Sequence, residues 1–481
     1  MGVSLYTVRV IIQTISVEDY GIYGAVGGII LSFGFISGVL TNASQRFFSV
    51  ELGKGAEGRV KETFSTLFIT YLFVSLLIVL IAETFGLWFL QNKMTIPSGR
   101  EDAALWVFQF ALLSFIVTLL ANPFQALIIS HEKMNLYAYL SILDVALKLL
   151  IVYLLVMFDV DKLKLYAVLI FLTQTITNSI YVVYCKSKYK KEVSLSLHID
   201  KEMLRSVFSY SSWTLFGTLA GMCNTQGVNI VLNMFFGPIA NAAYSIASQI
   251  YNTVSMFATN FYVAVKPPLI KSYASGDYDY VQKLFAFSSK AIFILLFIIV
   301  LPLLVCTEEI LELWLGNVGS YMVVFVQLSL IYTIILTISY PITAVVQAGG
   351  NVKLYHGLVD GFSLLALPIV YTLFKLGYAA QWAYITTIVV FAIAHLLRMY
   401  VLKKVFSQFV VRKYIIQFLL PSLMTACLLY FIMVQIKTMF TESVMNTLVV
   451  CAISVILALA SCMLFLLTKE ERQIIIKMIR K

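Results

Sequence analysis

Residues 21–64 read GIYGAVGGIILSFGFISGVLTNASQRFFSVELGKGAEGRVKETF, and this stretch decides the fold because the chain contains a second version of it. It consists of a long apolar run, a basic exit, a short glycine-containing loop and the start of a new apolar run. The second version begins at Ala242, at an offset of 221 residues. The matched positions are Tyr23 with Tyr244, Gly55 with Gly276, Val60 with Val281, and Phe64 with Phe285.

A second pair of segments repeats at a similar offset. NPFQALIISHEKMNLYAYLSILDVALKLLIVY, from Asn122, aligns with YPITAVVQAGGNVKLYHGLVDGFSLLALPIVY, from Tyr340, at an offset of 218 residues. In this alignment Pro123 matches Pro341. Two matches at nearly equal offsets indicate an internal duplication, which is a common way of building transporters.

The composition predicts an all-α integral membrane protein. The chain has 481 residues, of which 60% are hydrophobic and only 12% are charged, whereas soluble domains carry about 25% charged residues. The apolar runs do not alternate as the strands of a membrane barrel would. The net charge of +10 is spread between these runs, which is typical of topology signals, so no nucleic-acid partner is expected.

Apolar runs of about 20 residues can span a bilayer, and the sequence predicts about fourteen such helices. The first run, Gly2 to Ile15, is too short, so helix 1 is expected to be truncated and the native chain to begin upstream. The other predicted spans are 22–45, 64–88, 103–123, 135–157, 165–185, 207–235, 239–264, 284–305, 322–346, 354–376, 379–402, 415–436 and 444–467.

The predicted spans group into two six-helix lobes. Residues 1–185 form the N-lobe, with helices 1–6, and 207–402 form the C-lobe, with helices 7–12. A hydrophilic cytoplasmic linker, 186–206, separates them. Because each lobe has an even number of spans, the lobes are predicted to be parallel repeats related by an axis along the membrane normal. Helices 13 and 14, within 415–467, have no counterpart, and 468–481 form a cytoplasmic tail.

The distribution of Lys and Arg predicts the orientation. With helix 1 running outward, 24 of the 34 Lys and Arg residues fall in inner loops and six in outer loops, the other four lying inside apolar runs. Cytoplasmic loops carry this kind of excess. The sequence therefore predicts that both termini lie in the cytoplasm.

The sequence carries no enzyme signature. It contains no P-loop, no HExxH and no GxSxG motif, which are the motifs expected of nucleotide, zinc-protease and hydrolase sites. The four histidines are scattered, and the six cysteines show no CxxC spacing, so they are interpreted as small buried hydrophobes. We predict no enzymatic activity, no catalytic residue, no metal and no cofactor.

Charged residues inside apolar runs are costly and usually face a cavity or a partner. Arg9 lies within helix 1, and Arg46 and Lys266 end the equivalent helices 2 and 8. All three are candidates for a cavity, although Arg9 could instead snorkel to a headgroup and the other two could anchor the helices. Lys290 and Arg398 lie near the cytoplasmic face and are expected to snorkel.

Two further charged positions have candidate partners on the same helix. Asp144 and Lys148 are four residues apart in helix 5 and can pair; the pair could be structural or could line a cavity. For Asp360 in helix 11, His356 is the nearest candidate partner.

Helices 7 and 8 are unusually polar. Helix 7 carries Asn224, Gln226, Asn229 and Asn233, while helix 8 carries Ser245, Ser248, Gln249, Asn252 and Ser255. The 245/249/252 and 248/252/255 spacings place the second group on one stripe. Such a stripe could join helices by hydrogen bonds, or it could line a wet cavity that binds sugar hydroxyls.

SLYTVRVIIQTISVEDYGIYGAVGGII, from Ser4, followed by QRFFSVELGKG, from Gln45, resembles the bacterial polysaccharide (O-antigen) flippase family of the MOP (MATE-like) flippase superfamily. The resemblance in span number and lobes covers essentially the whole chain. It implies translocation of undecaprenyl-pyrophosphate-linked oligosaccharide across the bacterial inner membrane by alternating access. By position, it assigns Arg9 and Arg46 to the pyrophosphate.

The resemblance also implies partners. They are the anionic lipid-linked oligosaccharide, membrane lipids, and a polysaccharide polymerase with glycosyltransferases. From the residues, the candidates for the cavity are Arg9, Arg46, Lys266, Lys148, Asp144, Asn229, Gln249 and Asn252. A MATE-type exporter of drugs or other small molecules remains the alternative. An exporter of organic cations would need acidic cavity residues, and helices 1 and 2 have none within their apolar stretches.

Overall fold

A computed structural model of the chain describes residues 14–15, 17–31, 33–92, 94, 96–97, 99–158, 160–195, 200–316, 319, 321–441, 443–468 and 471–472. Within these residues every regular element is a helix, and no β-strand occurs. Most helices are α-helical, with short 3-10 and π segments. The prediction of an all-α membrane protein is confirmed.

The helices are numbered in chain order. They are α1 (Val17–Leu31), α2 (Gly34–Gly53), α3 (Val60–Asn92), α4 (Glu101–Ser130), α5 (Met134–Met157), α6 (Lys162–Lys188), α7 (Lys201–Ala274), α8 (Tyr278–Val305), α9 (Thr307–Leu315), α10 (Met322–Thr337), α11 (Tyr340–Ala348), α12 (Val352–Lys375), α13 (Trp382–Val405), α14 (Val411–Lys437) and α15 (Val444–Phe465).

Ten helical spans within the described residues are long and apolar enough to cross a membrane, and α1 with α2 adds an eleventh if this pair, bent by 44°, is one span. Helix 1 falls almost entirely outside the described residues. The predicted seventh and eighth spans both lie in the polar α7. The predicted number of about fourteen spans is therefore roughly consistent with the structure. Within the described residues, ten or eleven spans meet the length and apolarity that crossing a membrane requires.

Large apolar side chains on many of these helices are exposed. On α3, for example, Phe73, Leu76 and Leu80 point outward. A soluble protein rarely exposes apolar surface continuously, whereas lipid tails accept it, and a helix satisfies its own backbone hydrogen bonds there. These faces are the expected lipid contacts of a multi-pass membrane protein.

Acidic residues begin several helices. Asp161 accepts hydrogen bonds from the backbone N–H groups of Leu163 and Lys164 at the start of α6. Asp200 caps α7 in the same way, through Glu202 and Met203. A carboxylate at this position satisfies N–H groups that the helix leaves unpaired.

The chain divides into two compact units, Met1–Leu215 and Phe216–Lys481. In the first unit, the core is formed by α1 to α6, with Tyr71, Phe108 and Leu155 fully buried. Near the start of α4, Arg100 donates hydrogen bonds to Asp19 of α1 and, at 2.6 Å, to Asp161. One arginine thus joins three helices of this unit.

The second unit contains two main apolar clusters that share α8. One cluster joins α7 to α8 and α10, with Leu232, Leu296 and Phe325 fully buried. The other joins Phe293 of α8 to α14 and α15. The helices α14 and α15 therefore pack on α8 within this unit.

The long helix α7 reverses direction at Gly237. The backbone there has φ 73° and ψ −168°, a region that essentially only glycine occupies. Asn241 donates to the side chain of Asn229 at 2.7 Å, and Tyr244 donates to the carbonyl of Thr225 at 3.4 Å. In a straight helix Thr225 and Tyr244 would be about 28 Å apart. The two segments, before and after Gly237, therefore form a helical hairpin.

Arg398 does not snorkel, and that prediction is wrong. Its side chain on α13 is buried, with 3% of the residue exposed. Nε donates to the hydroxyl of Tyr355 at 3.1 Å, and Nη1 donates to Ser339 Oγ at 3.3 Å. Ser339 lies between α10 and α11, and Tyr355 precedes a π-helical turn of α12. Hydroxyl groups at interrupted helices provide the inward-facing acceptors that hydropathy cannot reveal.

Lys290 also does not snorkel. Its Nζ on α8 lies 2.8 Å from Oε2 and 3.1 Å from Oε1 of Glu471, and 7% of the residue is exposed. The carboxylate follows α15 and lies 181 residues further along the chain. An acidic partner inside the unit removes the need for the ammonium group to reach the headgroups.

Candidate functional site

The polar helical hairpin of α7 forms the wall of an open cavity of about 550 Å³ in the second unit. Both segments contribute to its wall, because the reversal at Gly237 brings them side by side. The lining residues are Thr225, Gln226, Asn229, Tyr244, Ser245, Ser248, Gln249, Tyr251, Asn252, Thr253 and Met256. None of these lining residues carries a formal charge at neutral pH.

The structure brings together three of the candidate residues at this cavity. Asn229, Gln249 and Asn252 all line it, and the last two are exposed. Gln226, Ser245 and Ser248 of the predicted polar faces join them. An exposed amide in lipid would lose its hydrogen bonds at a cost of several kcal/mol, so this face is suited to water or to a polar ligand.

Not every residue of the polar faces reaches the cavity. Asn224 is buried and donates to Ser363 Oγ of α12 at 3.2 Å, so it joins two helices. Ser255 is also buried and lies outside the lining. Asn233 is exposed near the reversal but does not line the cavity either. Both interpretations of the polar faces thus apply, to different residues.

Sequence reasoning missed several residues of this site. Asn241 holds Asn229 in place, with its Nδ2 2.7 Å from Asn229 Oδ1. It lies four residues before Ser245, so extending the predicted stripe by one turn would have found it. Tyr244 and Tyr251 supply rings to the wall. Tyrosine is common in cores, and the periodicity gave no reason to separate these two from core residues.

Lys266 lies deeper in the second unit and does not line the cavity. Only 2% of the residue is exposed, and its Nζ lies 5.9 Å from the ring centroid of Tyr262 on the same segment. The Tyr262 ring packs in turn against Tyr340, with centroids 5.1 Å apart. A cation near an aromatic ring gains about 0.5–2 kcal/mol.

Arg46 lies on α2 in the first unit. Its guanidinium carbon is 4.7 Å from the ring centroid of Phe47 and 5.2 Å from that of Tyr210, at the start of α7. These two rings contact each other edge to face. The aromatic pair fixes the direction of the arginine. Arg9, the other N-lobe candidate, lies outside the described residues.

Asp144 and Lys148 of α5 form an ion pair at 2.7 Å. The predicted pairing is confirmed. The side chain of Lys148 is 43% exposed and that of Asp144 26%. Each charge is largely neutralised by the other, which favours the structural interpretation of this pair.

The predicted pairing of Asp360 is also confirmed. His356 Nδ1 and Asp360 Oδ2 are 2.6 Å apart across a π-helical turn of α12. Gly217 of α7 packs directly against this pair.

Within the described part of the chain, no three His, Cys, Asp or Glu side chains converge where a metal ion could bind. The cavity wall offers neutral hydrogen-bonding groups and aromatic rings. Such a wall can hold a polar molecule, but it contains no nucleophile activated by a base. This wall is the candidate binding surface of the second unit.

Solved transporter structures share this fold. A MOP superfamily transporter from Pyrococcus furiosus has 12% identity, a TM-score of 0.69 and coverage of 84% of this chain and 92% of its own. The MATE transporter ClbM, solved in complex with Rb⁺, has 15% identity, a TM-score of 0.65 and coverage of 86% and 93%. A MATE structure in the bent conformation has 14% identity, a TM-score of 0.66 and coverage of 84% and 98%. The fold is that of MATE and MOP superfamily transporters.

The chain therefore has the fold of multi-pass membrane transporters. A family model described as polysaccharide biosynthesis protein matches residues 1–274, more than half of the 481 residues. The chain belongs to this polysaccharide biosynthesis family. No curated protein sequence matches it.

Proposed function

We propose that the protein translocates an undecaprenyl-pyrophosphate-linked oligosaccharide from the cytoplasmic to the periplasmic leaflet of the bacterial inner membrane. The observation that carries this proposal is the open cavity of about 550 Å³, walled by amides, hydroxyls and tyrosines. Sugar hydroxyls both donate and accept hydrogen bonds, and such a wall matches them. The volume of this cavity lies within the range of small-molecule binding sites. A polar cavity of that size agrees with membership in a polysaccharide biosynthesis family.

The pyrophosphate needs a different environment from the sugar. It is a multiply charged anion, and cations in a low-dielectric site stabilise it far more than neutral donors do. We assign this role to Arg9, Arg46 and Lys266, with Lys148 as a weaker fourth because Asp144 already pairs with it. Arginine adds a planar fork that can bind two phosphate oxygens at once.

Transport then requires two states that bind the substrate differently. In alternating access, the site opens first to the cytoplasm and then to the periplasm, while the lipid tail remains in the bilayer. A site that held the anion equally well in both states would shift no equilibrium. We further propose that both termini are cytoplasmic, that the lobes 1–185 and 207–402 are parallel repeats, and that polymerase and glycosyltransferase partners act beside the protein.

A MATE-type exporter is the second candidate, because the solved MATE structures share the fold. The Pyrococcus furiosus transporter is described as having a binding pocket of reverse polarity that suggests a different function. Pocket polarity can therefore differ within this fold. An exporter of organic cations would need acidic groups, and the cavity lining in the second unit includes none, which favours the oligosaccharide.

The decisive experiment is a flipping assay with purified protein in sealed vesicles. A fluorescent polyprenyl-pyrophosphate saccharide is incorporated, and its leaflet distribution is followed with a membrane-impermeant quencher. We expect protein-dependent exchange of the lipid between leaflets and no transport of ethidium. Transport of ethidium without lipid exchange would assign the protein to the exporters instead.

The proposed pyrophosphate residues have a matched test in a flippase-deficient strain. We expect Arg9→Ala and Arg46→Ala to abolish complementation at normal protein levels, and Arg46→Lys to restore it partly, since the charge remains but the fork is lost. Arg205→Ala, an exposed arginine of the same unit, serves as the control. Wild-type growth with both alanine variants would show that Arg9 and Arg46 do not bind the pyrophosphate.

A further inference from the structure

Several hydroxyl groups on the cavity wall already donate a hydrogen bond to a backbone carbonyl of their own helical hairpin. The hydroxyls of Thr225, Ser245 and Thr253 donate to the backbone carbonyls of Gly221, Asn241 and Gln249 at 3.1, 3.0 and 2.9 Å. The hydroxyl of Tyr244 donates to the carbonyl of Thr225. A hydroxyl that donates in this way still has oxygen lone pairs. These four groups therefore present acceptors to whatever occupies the cavity.

The amides on the wall complete its hydrogen-bonding character. Gln226, Gln249 and Asn252 are exposed and line the cavity, and each amide offers two N–H donors and one oxygen acceptor. Asn229 is more constrained, because its Oδ1 already accepts from Asn241. The wall thus combines the acceptor oxygens of these four hydroxyls with the neutral N–H donors and the oxygen acceptors of the amides.

No Asp, Glu, Lys or Arg is among the described residues that line this cavity. A carboxylate is an acceptor only, and it loses strong hydration when it leaves water. Recovering that loss takes charge-assisted hydrogen bonds from a cation. The neutral N–H groups of amides form weaker hydrogen bonds than a cation does. The lone pairs of the four acceptor hydroxyls would also face the lone pairs of the carboxylate oxygens, which is repulsive.

We infer that this cavity accepts a neutral, hydroxyl-rich sugar residue, such as a hexose or an N-acetylhexosamine, and discriminates against an acidic sugar that carries a carboxylate. Sugar hydroxyls donate to the acceptor groups, and they accept from the amides. The half-buried ring of Tyr251, which lines the cavity, offers apolar surface to the C–H groups of the sugar. This inference rests on the proposed function and narrows its substrate class.

The test compares two lipids that differ in one group. Binding of polyprenyl-pyrophosphate glucose and polyprenyl-pyrophosphate glucuronate to the purified full-length protein is measured in nanodiscs, with the sugar-free polyprenyl pyrophosphate as reference. We expect the glucose lipid to bind about tenfold or more tightly than the glucuronate lipid, a difference that one uncompensated polar group can produce. The glucose lipid should also bind more tightly than the sugar-free reference.

Variants link the preference to the cavity. Gln249→Ala and Asn252→Ala should weaken binding of the glucose lipid roughly threefold to tenfold each and leave the sugar-free reference unchanged. Asn233→Ala, a polar residue of the same hairpin outside the lining, is the control and should change neither. Gln249→Arg should improve binding of the glucuronate lipid.

The outcomes separate this inference from the proposed function. Equal or tighter binding of the glucuronate lipid by the wild-type protein overturns the inference, while flipping of either lipid still supports the proposed function. Equal binding of the glucose lipid and the sugar-free reference also overturns it, because the cavity then contributes nothing to sugar recognition. If none of the three lipids binds or is flipped, the proposed function itself fails.

Discussion

Gly217 brings the backbone of α7 against the hydrogen-bonded pair His356–Asp360 of α12. A Cβ atom at this position would lie 2.3 Å from His356 Nδ1 and 2.4 Å from Asp360 Oδ2, and atoms at those separations overlap. The histidine and aspartate are hydrogen-bonded at 2.6 Å and partly buried, so they cannot move aside without losing each other. Because glycine has no Cβ atom, α7 can pack closely against the His356–Asp360 pair of α12.

We expect Gly217→Ala to destabilise the protein. Overpacking costs about 1–3 kcal/mol, which exceeds the roughly 0.5–1 kcal/mol that alanine gains over glycine in a helix. Gly221→Ala is the matched control, one helical turn away, where an added Cβ would have no atom within 4 Å. The melting temperature in detergent should fall for Gly217→Ala and should stay or rise for Gly221→Ala. Equal melting temperatures would contradict the close approach.

At the scale of elements, the polar hairpin of α7 depends on one turn. Gly237 has φ 73° and ψ −168°, and a side chain there would be strained by of order 1–3 kcal/mol. The same residue sets the angle at which the two segments meet. The cavity wall is therefore determined by a residue that contributes no atom to its lining.

We expect Gly237→Ala to reduce both stability and sugar-lipid binding. The strain can be relieved only by moving one segment relative to the other, which separates Asn229 from Asn241. In a background without native cysteines, Asn229→Cys with Asn241→Cys should cross-link efficiently with a short bifunctional thiol reagent, since the two asparagine side chains are in contact. Adding Gly237→Ala should lower the yield. Efficient cross-linking in both backgrounds would show that the turn tolerates a side chain.

Across the whole molecule, the segment that follows α15 is held against α8 in the middle of the chain. Lys290 of α8 pairs with Glu471, and Thr468 and Glu471 also bond each other through the Thr468 backbone N–H at 2.7 Å. Arg472 donates to the carbonyls of Leu464 and Leu467 at the end of α15. These contacts hold the beginning of the tail against the second unit.

We expect Lys290→Met to lower the stability of the protein by about 1–3 kcal/mol, because Glu471 then remains partly buried without its cation. The double variant Lys290→Met with Glu471→Gln should recover part of the loss, since no unpaired charge remains. Chemical or thermal unfolding of the four proteins completes a double-mutant cycle. Additive effects would show that the two side chains do not interact.

The same pair predicts a pH dependence. Burial alone raises the pKa of the Glu471 carboxyl, but hydrogen bonds from Lys290 and from Thr468 outweigh it, so the pKa lies below its ordinary value. A carboxyl whose pKa is lower in the folded state stabilises the protein above its unfolded pKa, near 4.3, and loses this contribution as the pH falls through the folded pKa. The melting temperature of the wild type should therefore drop more steeply below about pH 4.3 than that of Glu471→Gln. Parallel curves would contradict the assignment.

The class of the protein and much of its local chemistry follow from the amino-acid sequence alone. Apolar runs of about 20 residues leave little choice but membrane helices, because a helix satisfies its backbone hydrogen bonds alone. The pairs Asp144–Lys148 and His356–Asp360 were predictable from spacing. Residues four apart on one helix face the same way, and both pairs are formed.

Which helices and which charged residues meet depends on the packing of distant segments. The polar stripe of α7 was readable from its spacing, but the open cavity that it lines required the reversal at Gly237 and the contact between Asn229 and Asn241. Lys290 and Arg398 were predicted to snorkel. The partner of Lys290 lies 181 residues away, and the partners of Arg398 lie 59 and 43 residues away, all on other elements. Hydropathy reports the environment of a span averaged over its faces. The partner of a buried charge depends on which faces meet, and that is settled by packing between distant segments.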